Sequence, residues 1–349
     1  MCERLVEVLK RVGKSTEIYE TPGGTRVLLL AYGARILGLF ARGSDENFYW
    51  THPELEKVES ARGLYESDNW HNSGGDRTWL APEVDIFFPD YPNTRMHRPP
   101  RQLDAADYTV TRNGEGVRME KRMSIRFARL KQEAQLRLAK SVAPAANPLR
   151  YERDLRDQSG SAEFAGYTQR TSLEFIGSES EAKVGLWNLI QMRHGGEILV
   201  PTYFRSSPRI LFGNVAPHDL IAGDHLIRFR IRGPGEQKIS IRAAATTGRA
   251  GYLYASGDQW ALVIRNFFVN PSGEYVDVPK DDTEDLGYAV QAVNVNGGLG
   301  SFCELEYHVP ALEGNSAWSQ CEDTSQVWAF RGSREIIQAV ARRLLSSEV

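Results

Sequence analysis

The sequence predicts an all-β protein of sandwiched antiparallel sheets with a short helix near each end. Three observations carry this. β-rich runs succeed one another along the chain, divided by Gly and Pro punctuation. Helical patterns do not intervene between them, which disfavours βαβ units and a parallel sheet. No fixed-period repeat is present, which disfavours a propeller. With 349 residues and 39.2 kDa the chain can bury roughly 75% of its unfolded surface without a disulfide or metal staple. No linker divides it, so residues 1–349 read as a single domain.

Leu5, Val6, Val8, Leu9 and Val12 recur at helical spacing and predict a helix over residues 2–13. Strands are then expected at 18–20, 25–30 and 35–40, divided by Pro22-Gly23-Gly24 and Tyr32-Gly33-Ala34. Residues 49–111 are the least regular region, rich in Pro, Asp, Asn and aromatics; long irregular stretches within compact domains are commonly functional. Further strands are expected at 108–111, 117–125, 167–176, 183–191, 197–201, 260–268, 286–294 and 302–308. In residues 226–232, Ile227, Phe229 and Ile231 alternate with Arg228, Arg230 and Arg232; with residues 238–242 across Gly233-Pro234-Gly235 this reads as a hairpin with one wet face. Ile336, Ile337, Val340, Ala341, Leu344 and Leu345 predict an amphipathic helix over 333–347, packed on the sheets.

Composition narrows the function. Apolar residues make up 41% and charged residues 25%, as in soluble globular proteins. Lys and Arg number 42 against 45 Asp and Glu, a net charge of −3; a dedicated nucleic-acid binder would be strongly basic, so no nucleic-acid partner is expected. The longest apolar stretch, residues 27–34, falls far short of the roughly 20 residues that cross a bilayer. Residues 1–13 have no apolar leader. A cytoplasmic protein without a membrane partner is therefore expected. Cys2, Cys303 and Cys321 form no framework or metal motif and read as reduced thiols. No signal of an oligomeric state is present.

Nucleotide, metal and nucleophile motifs fail their tests. Gly13-Lys14-Ser15 lacks the first glycine of a phosphate loop, since position 8 is Val8. Gly297-Gly298-Leu299-Gly300 lies between strands and reads as a hairpin turn rather than a dinucleotide fingerprint. The seven histidines show no zinc-ligand spacing, and no GxSxG elbow is present. No cofactor and no metal are expected.

Three constellations carry chemistry. Strand alternation over residues 301–310 places Phe302, Glu304, Glu306 and His308 on one face and Cys303, Leu305 and Tyr307 on the other. Carboxylates two apart on a strand perturb each other's ionisation and can share a polar ligand; the alternative is a polar face that meets water. Residues 69–83 gather Trp70, His71, Asp76, Arg77, Trp79 and Glu83 around Gly74-Gly75. A pyranose needs this mixture, because its apolar face packs on an aromatic ring while Arg, Asp and His bond its hydroxyls. A structural loop anchored by the two tryptophans is the competing reading. In residues 184–198, Trp187, Leu189 and Gln191 share a strand face and His194 sits at a Gly-Gly turn; Trp187 is either a sugar platform or core. The residues expected to touch substrate are thus Asp76, Arg77, Trp79, Trp187, Gln191, His194 and Glu304.

These segments resemble the galactose-mutarotase-like superfamily, in a branch apart from the well-studied aldose 1-epimerases. The resemblance spans residues 18–310. It is carried by Gly24-Thr25-Arg26-Val27 with Tyr32-Gly33-Ala34-Arg35-Ile36, by Gly74-Gly75-Asp76-Arg77-Thr78-Trp79 with Pro82-Glu83, by Leu186-Trp187 through Gly195-Gly196, and by Glu304-Leu305-Glu306. It implies a β-supersandwich. It also implies that Glu306, in the Leu305-Glu306 context before Pro310, is similar to the glutamate that removes the anomeric proton. In that superfamily a strand histidine protonates the ring oxygen; here the strand reads Leu186-Trp187-Asn188, which leaves His71, His308 and His194 as candidates for the acid. The resulting expectation is an aldose 1-epimerase-like isomerase acting on a mono- or oligosaccharide. A non-catalytic sugar-binding module and a glycoside hydrolase or lyase are the alternatives.

Overall fold

The computed structural model describes residues 2–114, 116–152, 162–177, 180–278, 285–315 and 319–349. In chain order its strands are β1 (Thr16–Glu20), β2 (Arg26–Leu30), β3 (Arg35–Phe40), β4 (Asp76–Ala81), β5 (Thr109–Asn113), β6 (Gly116–Phe127) and β7 (Gln132–Pro144). Then come β8 (Glu163–Phe175), β9 (Lys183–Arg193), β10 (Glu197–Pro201), β11 (Arg209–Phe212), β12 (Leu220–Ala222), β13 (Leu226–Arg230) and β14 (Gly235–Arg242). The last are β15 (Arg249–Ser256), β16 (Gln259–Asn266), β17 (Tyr288–Gly297), β18 (Gly300–His308), β19 (Leu312–Glu313) and β20 (Gln320–Gly332).

They form two ten-stranded sheets whose pairings are antiparallel throughout. The first runs β1-β2-β3-β4-β9-β18-β17-β14-β11, with β19 on β9; the second runs β12-β13-β10-β15-β16-β20-β8-β7-β6-β5. Alternation explains the stacking. Cys303, Leu305 and Tyr307 of β18 meet Val327 and Ala329 of β20 and Met119, Met123 and Ile125 of β6 in one buried cluster between the sheets. Within that apolar layer sits a polar pin. The Asp76 carboxylate of β4 accepts from Lys140 of β7 at 3.0 Å, from Tyr167 of β8 at 2.6 Å, and from Arg265 of β16.

The amino-terminal helix, Cys2–Arg11, presses Leu5, Val8 and Leu9 onto Leu28, Leu30, Leu37 and Phe40 of the first sheet. At the other end Arg334–Leu344 is helical, with Ser333 capping it by accepting from the Ile336 amide. Ile337, Val340 and Leu344 of that helix cover Leu262, Ile264 and Phe330 on the second sheet. Both helices are where the sequence places them, one or more residues shorter. Among the described residues no helix is long and apolar enough to cross a membrane.

Two local expectations are corrected. The hairpin over residues 226–242 does not form: β13 pairs with β10 and β12 in the second sheet, whereas β14 pairs with β11 and β17 in the first. Gly233-Pro234-Gly235 carries the chain between layers, a step that local turn chemistry does not distinguish from a hairpin. Residues 76–81, read within an irregular loop, form the fully buried strand β4. By contrast, Gly297-Gly298-Leu299-Gly300 does turn β17 into β18.

Candidate active site on the outer face of the first sheet

Register assembles the site. In β4, β9 and β18, Trp79 lies opposite Trp187 and Trp187 opposite His308. One row along, Arg77 lies opposite Leu189 and Leu189 opposite Glu306, with Gln191 opposite Glu304. Gln291 of β17 pairs with Glu306, and Lys238 of β14 follows opposite Val293. Because side chains alternate along a strand, these residues point away from the second sheet. Their neighbours Asp76, Asn188 and Tyr307 point into the sandwich, where they bond Lys140, Gln169 and Asp323.

The diglycine sets the start of β4. Gly74 and Gly75 have φ of 92° and 74°, a region that side chains with a Cβ avoid. A Cβ on Gly75 would lie 2.3 Å from the Ile36 carbonyl oxygen. This tight passage brings Arg77 and Trp79 beside β9.

There Arg77 Nη2 donates to Glu304 Oε1 at 2.7 Å, and Gln191 Nε2 donates to the same oxygen at 2.7 Å. Trp187 Nε1 donates to Glu306 Oε2 at 3.0 Å. Lys238 Nζ stands 3.4 Å from Glu306 Oε2, 3.7 Å from Glu83 Oε2 and 4.6 Å from the centre of the Trp187 ring. The Arg77 guanidinium packs 4.0 Å from the Trp79 ring centre, and His308 stacks on Trp187 with centroids 5.4 Å apart.

Residues 82–104 fold back over this face. Phe87 packs against Trp79 and Trp187. His97 stacks on Phe87 and reaches Glu83 Oε1 at 3.2 Å. Asp104 accepts from Arg35, Trp70 and Trp79 at 2.7 to 2.8 Å. The result is a covered site in which Arg77 and Glu306 are each 1% exposed. Several of its polar atoms have no hydrogen-bond partner among the described residues: Arg77 Nε and Nη1, Gln191 Oε1, Ser240 Oγ, Gln291 Oε1, Glu306 Oε1 and both His308 nitrogens. Buried polar atoms are almost always satisfied, so a face with this many unpaired donors and acceptors is built to meet a polar ligand or water.

Protonation follows from burial and charge. Burial pushes Glu306 up to about 8; Lys238 pulls it back, and the negative charge of Glu304 beside it pushes it further up. Glu83 is buried too, yet Lys238 and His97 outweigh that and hold it down to about 2. Burial alone would lower Lys238, but Glu306, Glu83 and Asp277 together raise it above its ordinary value. Burial drops His308 to about 4. At neutral pH the Lys238 ammonium is thus answered by ionised Glu83, Glu306 carries a proton beside Glu304, and His308 is neutral.

The structure brings together Arg77, Trp79, Trp187, Gln191, Glu304, Glu306 and His308. It does not bring in three others expected from sequence. Asp76 is the pin between the sheets, on the opposite face of β4. His71 lies beyond Trp70 with both ring nitrogens engaged, Nδ1 with the Tyr32 hydroxyl and Nε2 with the Ser67 carbonyl, each at 2.7 Å. His194 follows Arg193, which is opposite Phe302; it is five residues from Leu189 and therefore about 16 Å along the strand from the Glu306 row. Sequence reasoning missed Lys238, Gln291, Asp277 and His97. Gln291 stands one strand from the Glu304–Glu306 row and Lys238 two, and neither lies in a segment that carries a motif. His97 carries no signal beyond its place in the irregular region.

A family model described as a family of unknown function (DUF6786) matches residues 4–349. No curated protein matches the chain. Among solved structures the chain is similar to that of HI1317, with 10% identity, a TM-score of 0.40, and coverage of 90% of this chain and 99% of that one. It is also similar to that of a GalM/aldose epimerase homologue from C. elegans, with 8% identity, a TM-score of 0.40, and coverage of 92% and 99%.

Proposed function

We infer, for a chain that belongs to that family of unknown function, that the covered face binds a mono- or oligosaccharide and that Glu306 moves a proton on it, as in an aldose 1-epimerase. The observation that carries this is the Glu306 carboxyl. Its Oε2 is held by Trp187 and Lys238, its Oε1 is unpaired among the described residues, and its pKa is raised to about 8. An acid–base group is most effective when its pKa lies near the working pH.

Ionised Glu306 would take the proton from the anomeric hydroxyl. The carbonyl then forms at C1 as the C1–O5 bond breaks, and O5 receives that proton. Both oxygens are bonded to C1, so one carboxyl can serve both. Rotation about C1–C2 and the reverse sequence give the other anomer. Arg77 and Lys238 supply positive charge toward the developing oxyanion. His308 borders the same site with both ring nitrogens unpaired among the described residues, but burial lowers it to about 4, and His71 has both nitrogens engaged, so this reading assigns the proton transfers to Glu306.

Polarimetry on a panel of freshly dissolved aldoses tests this reading. The protein is expected to speed anomer equilibration and Glu306→Gln to abolish the effect. No acceleration on any aldose would overturn the catalytic reading.

The strand that reads Leu186-Trp187-Asn188, with no histidine, favours a second reading, a sugar-binding module without turnover; saturation-transfer NMR showing sugar contact without any rate effect would establish it. A glycoside hydrolase is disfavoured, because Glu304 and Glu306 stand two residues apart on the same face of one strand, whereas the paired acids of such an enzyme flank the glycosidic bond from both sides.

A further inference from the structure

Two carboxyls share one buried ammonium on the covered face. Lys238 Nζ stands 3.4 Å from Glu306 Oε2 and 3.7 Å from Glu83 Oε2. The other cation of the face, Arg77, is engaged by Glu304 at 2.7 Å. Asp277 lies beyond them, accepting from Gln291 Nε2 at 3.0 Å and from the Glu83 amide at 2.9 Å. Among the described residues, Arg77 and Lys238 thus meet Glu83, Glu304 and Glu306, one carboxyl more than the cations can answer. Buried charge without a counter-charge is costly, so one of the three keeps a proton. Position decides which. The Glu306 side chain is fully buried and its Oε1 has no partner among the described residues. The Glu83 side chain is 26% exposed, and its Oε1 lies 3.2 Å from His97 Nε2. Glu83 is therefore the better-supported anion, although Lys238 stands slightly nearer to Glu306.

We propose that Glu83 is a positioning residue for Glu306: it engages the Lys238 ammonium from the covering segment and so leaves Glu306 as the carboxyl that gains and loses the proton. The proposal rests on the acid–base reading of Glu306 above and adds the residue that sets its charge. Glu83 acts through Lys238 rather than on the sugar. It begins the short helix Glu83–Ile86 at one end of the cover, and His97, stacked on Phe87, reaches it from further along the same segment. The stretch of chain that shields Glu306 from water thus also carries the anion that competes for its cation. The surrounding charges act in the same sense: burial raises Glu306, Lys238 lowers it, and Glu304 and Glu83 raise it further. His308 is neutral on the far side of Trp187, and His97 meets Glu83. Without Glu83, the ammonium would have Glu306 as its nearest carboxyl, and Glu306 would ionise more readily.

Carboxyl infrared titration of the full chain, with the Glu306 band identified by its loss in Glu306→Gln, tests this without any sugar. In Glu83→Gln, which keeps the side-chain shape, the Glu306 midpoint is expected to fall by about one unit or more, roughly a ten-fold shift toward the ionised form at a given pH. Glu83→Asp keeps the charge but draws it back from Lys238; a smaller fall is expected, and this variant decides the matter if Glu83→Gln does not fold. Made in a Lys238→Met background, the Glu83 substitution is expected to move the midpoint by roughly half as much or less, because no shared cation is left to compete for. An unmoved or raised midpoint in the Glu83 variants would overturn the proposal. So would a fall of equal size with and without Lys238, which would mean that Glu83 acts by direct repulsion alone. Where the protein speeds anomer equilibration, the acid limb of its pH profile is expected to move down together with the midpoint. No acceleration on any aldose would overturn the catalytic reading, while the infrared midpoint would still decide whether Glu83 sets the charge of Glu306.

Discussion

At Glu306 the two oxygens of one carboxyl meet different surroundings, Oε2 against the Trp187 indole and the Lys238 ammonium, Oε1 unpaired among the described residues. Burial raises the group from its ordinary 4.5 to about 8, and that shift has a thermodynamic consequence. Below 4.5 the folded and unfolded chains both hold this proton; between 4.5 and 8 only the folded chain does, so this group's contribution to stability falls as pH rises through that window. Glu306→Gln, which keeps a neutral group there, is expected to lose less stability than the parent between pH 5 and 8, by on the order of a few kcal/mol. Urea unfolding at several pH values measures the difference, and parallel pH profiles would refute the shift. Trp187→Phe removes a donor to the ionised form, so the Glu306 midpoint in a carboxyl infrared titration is expected to climb by roughly half a unit or more. An unmoved midpoint would mean that the indole does not tune the carboxyl.

Single elements show where local preference yields to packing. Residues 132–144 are rich in Gln, Ala, Leu, Arg and Lys, a helix-forming mixture, yet they form β7, paired along its length with β6 and over much of it with β8. Ladder bonds on both sides and burial of Leu136, Leu138 and Val142 outweigh propensity. Strand β4 depends on its entry: Gly75→Ala must place a Cβ 2.3 Å from the Ile36 carbonyl oxygen at φ 74°. That substitution is expected to cost at least about 2 kcal/mol, read from chemical denaturation; a loss under about 0.5 kcal/mol would show that the passage relaxes. The carboxyl-terminal helix is less dependent on its start. Ser333→Ala removes the cap on Ile336 and should lower stability by about 1 kcal/mol, visible as a small drop in melting temperature.

Across the whole molecule, the sheets are joined by apolar contact and by the Asp76 pin. Its carboxylate stays ionised although burial opposes this, because the positive charges of Arg265 and Lys140 outweigh the cost of burial. Lys140 in turn is lowered by burial to about 8. Asp76→Ala would strand two buried cations on the second sheet, a loss on the order of 3–5 kcal/mol. Equilibrium unfolding monitored by tryptophan fluorescence measures it, and a loss below about 1 kcal/mol would show that the cations find other partners.

The sequence by itself determined the class of fold, the flanking helices, the β17–β18 turn and the split faces of residues 302–308, because those depend on alternation and periodicity within a few residues. It also singled out Arg77, Trp79, Trp187, Glu304 and Glu306, whose residue types suit a polar ligand. Tertiary structure alone decided which of these meet. Asp76 and Arg77 are adjacent in sequence and face opposite ways, while Arg77 and Glu304 are 227 positions apart and share a hydrogen bond. Lys238 joined the cluster through strand order, and Glu306 acquired its raised pKa through the cover of residues 82–104 and the company of Glu304. Side-chain direction, sheet order and desolvation are set by long-range pairing, which no short window of sequence contains.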